Sequence, residues 1–176
     1  METKRESGDA LHTYLNDHLA GATGALRLLD RLIDEPASEE KSFYAGLRAE
    51  IDEDRATLVR LLEGAGGETS TVRQAGGWLA EKAGRLKMLL DDAGGESLGA
   101  FEELEVLGLG VLGKRGLWRA LSVADLPEFK AIDFRRLETR AEGQYERIEG
   151  RRLELAREVL RVTPGAFARQ SRSELE

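Results

Sequence analysis

Apolar side chains recur along most of the chain at steps of three and four, and no stretch settles into the two-residue alternation of a half-buried strand. That spacing gathers them into one stripe on an α-helix. The first run carries Leu11, Tyr14, Leu15, Leu19, Ala22, Leu26, Leu29, Leu32 and Ile33, with Asp9 placed to cap it and Glu35-Pro36 placed to end it. A helix of about 25 residues, about 38 Å long, is predicted. The second run follows Ser38 as N-cap, has Glu39 and Glu40 at the positive end of the helix dipole, and continues through Tyr44, Leu47, Ile51, Leu58, Leu61 and Leu62. Gly64, Gly66 and Gly67 stop it. A connection as short as Glu35-Pro36-Ala37 permits only an antiparallel return, so these runs predict a long hairpin.

A shorter amphipathic stretch opens at Thr71 and holds Val72, Trp78, Leu79, Leu86 and Leu90 before Gly94-Gly95 closes it. A third long run starts at Ser97 and passes through Phe101, Leu104, Leu107, Val111, Trp118 and Leu121. After a short turn, Asp133 is placed to cap a fourth run through Phe134, Leu137, Ala141, Tyr145, Ile148, Leu155 and Val159, which Thr163-Pro164-Gly165 ends. The fold class predicted is all-α: two antiparallel long hairpins joined by a crossover that contains an extra helix. Residues 9–163 form one domain in this reading, residues 1–8 a flexible N-terminus and residues 164–176 a mobile C-terminal tail.

Composition removes several classes of chemistry. The chain has no cysteine, which excludes disulfide scaffolds, thiol catalysis and thiolate metal sites, and its two histidines, His12 and His18, both lie near the start. There are 33 acidic and 26 basic residues, a net charge of -7, so attraction to nucleic acid or an anionic membrane is not expected. Charge is uneven: Met1–Ser70 carries 15 acids and 8 bases, whereas Asp133–Arg172 carries 10 arginines and 7 acids. Alternating charges such as Glu154, Arg157, Glu158 and Arg161 read first as a solvated helix face, and second as a basic surface for RNA. The N-terminus lacks an apolar stretch with a cleavage site and no run is long enough to span a bilayer, so a cytoplasmic location is the expectation.

Gly108-Leu-Gly-Val-Leu-Gly-Lys-Arg115 matches both a GxGxxG fingerprint and most of a GxxxxGK phosphate loop. Arg115 stands where the phosphate loop needs Ser or Thr for magnesium, and no strand precedes the glycines, so no phosphate-binding residue is assigned. The glycines at 108, 110, 113 and 116 are expected instead to let another helix approach closely.

The order and length of the runs, from about Asp9 to Val162, resemble the ferritin-like superfamily of four-helix bundles. That resemblance implies one carboxylate from each of two helices and an ExxH motif from each of the other two. The ExxH motifs are missing: the corresponding places read Glu50-Ile-Asp-Glu53, Glu142-Gly-Gln-Tyr145 and Glu149-Gly-Arg-Arg152. The chain therefore resembles a divergent member of that superfamily.

Several ionisable residues nevertheless occupy inward slots of the stripes. His18 lies between Leu15 and Ala22, Asp54 between Ile51 and Leu58, Glu105 beside Phe101 and Leu112, and Arg152 between Ile148 and Leu155. His18 and Asp54 are each 18 residues from Pro36, so a flush hairpin brings them level. Unpartnered charges inside a bundle cost several kcal/mol, so pairing is expected, His18 with Asp54 and Glu105 with Arg152. The candidate site is a buried polar cluster of His18, Glu50, Asp54, Glu105, Glu149 and Arg152. Three readings apply to it: register-setting ion pairs, the vestige of a metal site closed by Arg152, or an occupied iron or manganese site with oxygen-rich ligands. His12 receives no role, Trp78 and Trp118 read first as core or as anchors of the crossover and second as ligand-stacking groups, and no catalytic residue is assigned.

The function expected is a non-catalytic, ferritin-like helical protein without cofactor that acts through oligomeric or partner contacts, with a homodimer as the simplest assembly. The first alternative is a carboxylate-bound iron or manganese protein of oxidase or storage type. A binder of RNA or of a small ligand is the second.

Overall fold

The computed structural model describes residues 2–34, 40–66 and 96–161. Four long helices account for most of them: α1 (Glu2–Asp34), α2 (Lys41–Gly64), α3 (Glu96–Val123) and α4 (Phe134–Val159), with a single 3-10 turn at Pro127–Phe129 before α4. Among the described residues there is no strand, and the arrangement is compatible with a four-helix bundle. The extra crossover helix expected after Thr71, with Trp78, lies outside the described residues, as do the Glu35–Ala37 turn, Ser38 and the tail from residue 164.

Two helix starts differ from expectation. Helix α1 begins at Glu2, so Asp9 is inside the helix and not its cap; its backbone carbonyl accepts a hydrogen bond from Thr13 Oγ1 at 2.9 Å. Helix α2 begins at Lys41, with Glu40 at the N-cap position and no side-chain cap bond. Two other boundaries follow the expected chemistry. Asp133 caps α4 by accepting from the Arg136 backbone N–H at 3.0 Å. Helix α2 ends at Gly64, where a Cβ would stand 2.6 Å from Cε1 of the buried Phe129 ring; two residues on, Gly66 adopts φ +80°. The connection before α4 thus seats Phe129 against the C-terminal end of α2, a close approach that only glycine leaves room for.

Leu15, Leu29, Leu47, Leu61, Leu107 and Ile148 belong to one continuous core to which all four helices contribute, and fully buried Trp118 on α3 stacks on Phe134 of α4 with ring centres 6.4 Å apart. Close backbone approach runs along α1 and α2, along α3 and α4, and more briefly along α1 and α3. Helices α3 and α4 are antiparallel: Glu105 meets Arg152, Lys114 meets Gln144 and Arg115 meets Glu142. Helices α2 and α4 approach less closely and are bridged by long polar side chains, Glu40 to Arg151, Glu50 to Arg147 and Glu53 to Arg140.

The α3 glycines divide. A Cβ at Gly108 would lie 3.6 Å from the Tyr145 ring and 3.7 Å from Ile148 Cγ2, so Gly108 does face α4. At Gly110, Gly113 and Gly116 an added Cβ meets nothing within 4 Å among the described residues, so of the four only Gly108 faces another described helix. Residues 108–115 are helical throughout and form no loop.

Candidate functional site: a buried polar cluster

Asp54 on α2, Lys114 on α3 and Gln144 on α4 converge inside the core. Asp54 and Gln144 are 0% exposed and Lys114 is 7% exposed. Each occupies an inward slot of its helix: Asp54 between Ile51 and Leu58, Lys114 between Val111 and Trp118, Gln144 between Ala141 and Ile148. Lys114 Nζ donates to Asp54 Oδ2 at 2.5 Å and to Gln144 Oε1 at 2.5 Å. Gln144 Nε2 then donates to Glu50 Oε2 at 3.0 Å and to Asp54 Oδ2 at 3.4 Å. The ammonium thus fixes the amide orientation, because Lys114 can only donate and the carboxylates can only accept.

The outer edge of the cluster closes with arginines. Arg140 donates to Asp54 Oδ1 through one terminal nitrogen and to Glu53 Oε2 at 2.7 Å through the other, and Arg147 donates to Glu50 Oε2 at 2.6 Å. Three carboxylates, Glu50, Glu53 and Asp54, therefore face three cations, Lys114, Arg140 and Arg147. Charges withdrawn from water are tolerated only with this degree of mutual hydrogen bonding.

Proton affinities follow the same geometry. Burial pushes the Lys114 ammonium below the usual lysine range, and the Arg140 charge adds to this, while Asp54 opposes it. Burial would raise Glu50, but hydrogen bonds from Arg147 and Gln144 outweigh it and hold its carboxyl below the ordinary value. Arg140 is likewise partly desolvated, yet Asp54 and Glu53 keep its guanidinium above the ordinary value.

Of the six residues expected to form one cluster, the structure brings only Glu50 and Asp54 into this centre. His18 is elsewhere: its ring packs edge-on to Tyr14 with centres 4.7 Å apart, and both Asp54 oxygens belong to Lys114, Arg140 and Gln144. The expected His18–Asp54 pair therefore does not form. Its premise was a hairpin centred on Pro36, whereas the Arg48–Asp30 ion pair centres it near residue 39, which moves the level of His18 along α2 by six residues, about 9 Å. Burial lowers the His18 pKa, with Asp17 opposing.

Glu105, Glu149 and Arg152 form a second, outer group. Arg152 bonds both Glu149 oxygens at 2.7 and 2.8 Å, reaches Glu105 at 3.4 Å and lies 5.3 Å over the Phe101 ring. Glu105 was expected to point inward, but its side chain is 53% exposed; the outward turn of α3 at this position places the pair at the surface.

Lys114, Arg140 and Gln144 were not among the expected site residues, although a polar residue in the seven-residue gaps Val111–Trp118 and Ala141–Ile148 was the available signal. Glu103, buried on α3 and paired with Arg31 of α1, was also not anticipated. His12 is half-buried and its backbone carbonyl accepts from Asn16 Nδ2 at 3.0 Å.

The oxygen donors nearest a metal role are Asp54, Glu50 and Gln144. Lysine and arginine nitrogens already occupy the positions between them, and among the described residues no group of three or more His, Asp or Glu side chains converges as a metal site. No described helix is long and apolar enough to cross a membrane. Comparison of the chain with protein-family models, with curated proteins and with solved structures finds no match.

Proposed function

We propose that this is a non-catalytic, ferritin-like helical-bundle protein in which an internal salt-bridge network stands where related bundles hold metal, and that it acts through contacts with copies of itself or with a partner. One observation carries the reading: the Lys114 ammonium sits between Asp54 and Gln144, 2.5 Å from an oxygen of each, and so takes up the oxygens that a bound metal ion would need as ligands. A positive charge already neutralises the inward carboxylate, so a divalent ion there would meet repulsion from Lys114, Arg140 and Arg147. The α4 arginines Arg140, Arg147, Arg151 and Arg152 each bond a carboxylate, which weakens the case for an RNA surface.

Metal analysis tests the proposal. Protein purified and incubated with ferrous or manganous ion is expected to retain well under one ion per chain after gel filtration. Retention of one or two ions per chain that Asp54→Ala abolishes would establish the carboxylate-metal alternative instead. Lys114→Met supplies a second arm, since removing the resident cation should raise manganese or iron retention if the site is an ancestral metal position.

A further inference from the structure

The outward face of α3 combines exposed apolar side chains with several open glycines. Glu105, Leu109, Leu112, Gly113, Gly116 and Val123 follow one another at helical steps along it. Leu109 is 63% exposed and Val123 is 83% exposed, while Leu112 is half-buried. Gly113 and Gly116 are exposed, and a Cβ on either would meet nothing within 4 Å. Each such glycine costs about 1 kcal/mol in a helix interior relative to alanine. Nothing within the described residues uses the room they leave. Open glycines also occur at Gly21, Gly24 and Gly46 with no strongly exposed leucine or valine beside them, and at Gly150 of α4, where one such leucine, the 47% exposed Leu153, stands one turn away.

The order of residues on this face is self-complementary. About a point between Leu112 and Gly113, an antiparallel second α3 sets Leu112 against Gly113 and Leu109 against Gly116, each bulky side chain over a bare backbone. The same alignment sets Glu105 level with Ala120 of the second copy, one residue or about 1.5 Å from the exposed Arg119, once on each side of the twofold axis. Among the described residues Glu105 is held only by the 3.4 Å contact to Arg152, and its side chain is 53% exposed. Two-fold symmetry demands that a surface match itself reversed, and here size and charge both do so.

The geometry points to the outward face of α3 as the contact between two antiparallel copies of this chain, with Leu109 and Leu112 of each copy seated over Gly116 and Gly113 of the other. The inference rests on the proposed action through oligomeric contacts and names the surface. Its failure is separable, because metal content tests the one and mass and cross-linking test the other.

The native chain has no cysteine, so single cysteines report proximity without background. In full-length protein, Gly113→Cys lies beside the axis and is expected to give a disulfide dimer on mild oxidation. Val123→Cys is expected to stay monomeric on a denaturing gel, because the two copies of residue 123 lie about 21 residues apart along the paired helices, about 30 Å. Light scattering of the native chain at tens of micromolar is expected to give a dimer. Gly116→Arg, at a position where an added Cβ meets nothing within 4 Å among the described residues, is expected to give a monomer with unchanged helix content. Arg119→Glu should weaken the dimer at least tenfold, and Glu105→Arg combined with it should restore most of the loss. A native monomer at 100 µM, a dimer that survives Gly116→Arg, or cross-linking at 123 equal to that at 113 would each overturn the inference.

Discussion

Helix α4 carries two groups of ion pairs that differ in little but depth. At one, Arg140, Gln144 and Arg147 meet Asp54, Glu50 and the Lys114 ammonium, with Asp54 and Gln144 fully removed from water. At the other, Arg152 holds Glu149 and Glu105 near the surface, where Glu105 is mostly exposed. The bonds have similar lengths, yet their consequences differ. In the interior, loss of one partner strands a charge that water cannot reach, whereas outside, solvent and salt replace the missing partner. His18 adds a third condition, half-buried against Tyr14, where burial dominates and favours the neutral ring.

The largest effect should come from breaking the inner group at its centre. Asp54→Ala leaves Lys114 and Arg140 without their shared carboxylate and is expected to cost about 3–5 kcal/mol. At 2–4 °C per kcal/mol for a chain of this size, thermal melting should fall by roughly 6–20 °C. Removing the whole inner triad sharpens the comparison: Asp54→Leu, Lys114→Met and Gln144→Leu together should be far less harmful than Asp54→Ala alone. Stability in urea equal to or above that of the native chain would show that the network specifies helix register more than it stabilises. A triple variant as unstable as the single would contradict that account.

Arg152→Ala addresses the outer group and should shift stability by about 1 kcal/mol or less, part of it from lost packing over Phe101. A loss comparable to Asp54→Ala would erase the distinction between the two groups. The smallest effect concerns pH. Because the folded His18 pKa is lowered, the folded chain binds fewer protons than the unfolded one near and below pH 6.5. Its contribution is thus fully present above that value and is lost as pH falls through the folded pKa. Denaturant midpoints of the native chain and of His18→Phe should therefore converge above pH 7 and separate toward pH 5, the native chain losing more.

Much of the fold was legible because helix periodicity is a local property. The stripe through Leu47, Ile51, Leu58 and Leu61 faces the core, Asp133 caps α4 and Gly66, at φ +80°, follows the end of α2, each for reasons contained within a few residues. The site was legible only at Asp54 and Glu50. A stripe says that a residue points inward, but not which residue of another helix arrives beside it. That depends on the axial offset between helices, and for α1 and α2 a late start at Lys41 was enough to separate His18 from Asp54. It depends also on rotation: Glu105 and Lys114 share α3, yet only Lys114 turns into the core.

What the amino-acid sequence determined by itself is an all-helical chain with charged residues set into its apolar stripes, because side-chain spacing and capping act over one or two turns. Tertiary structure alone decided that Lys114, from a glycine-rich stretch with the outline of a phosphate loop, would supply the cation for Asp54. Partner choice among buried charges is a matter of a few ångströms in helix offset and rotation, and those follow from packing the whole core at once.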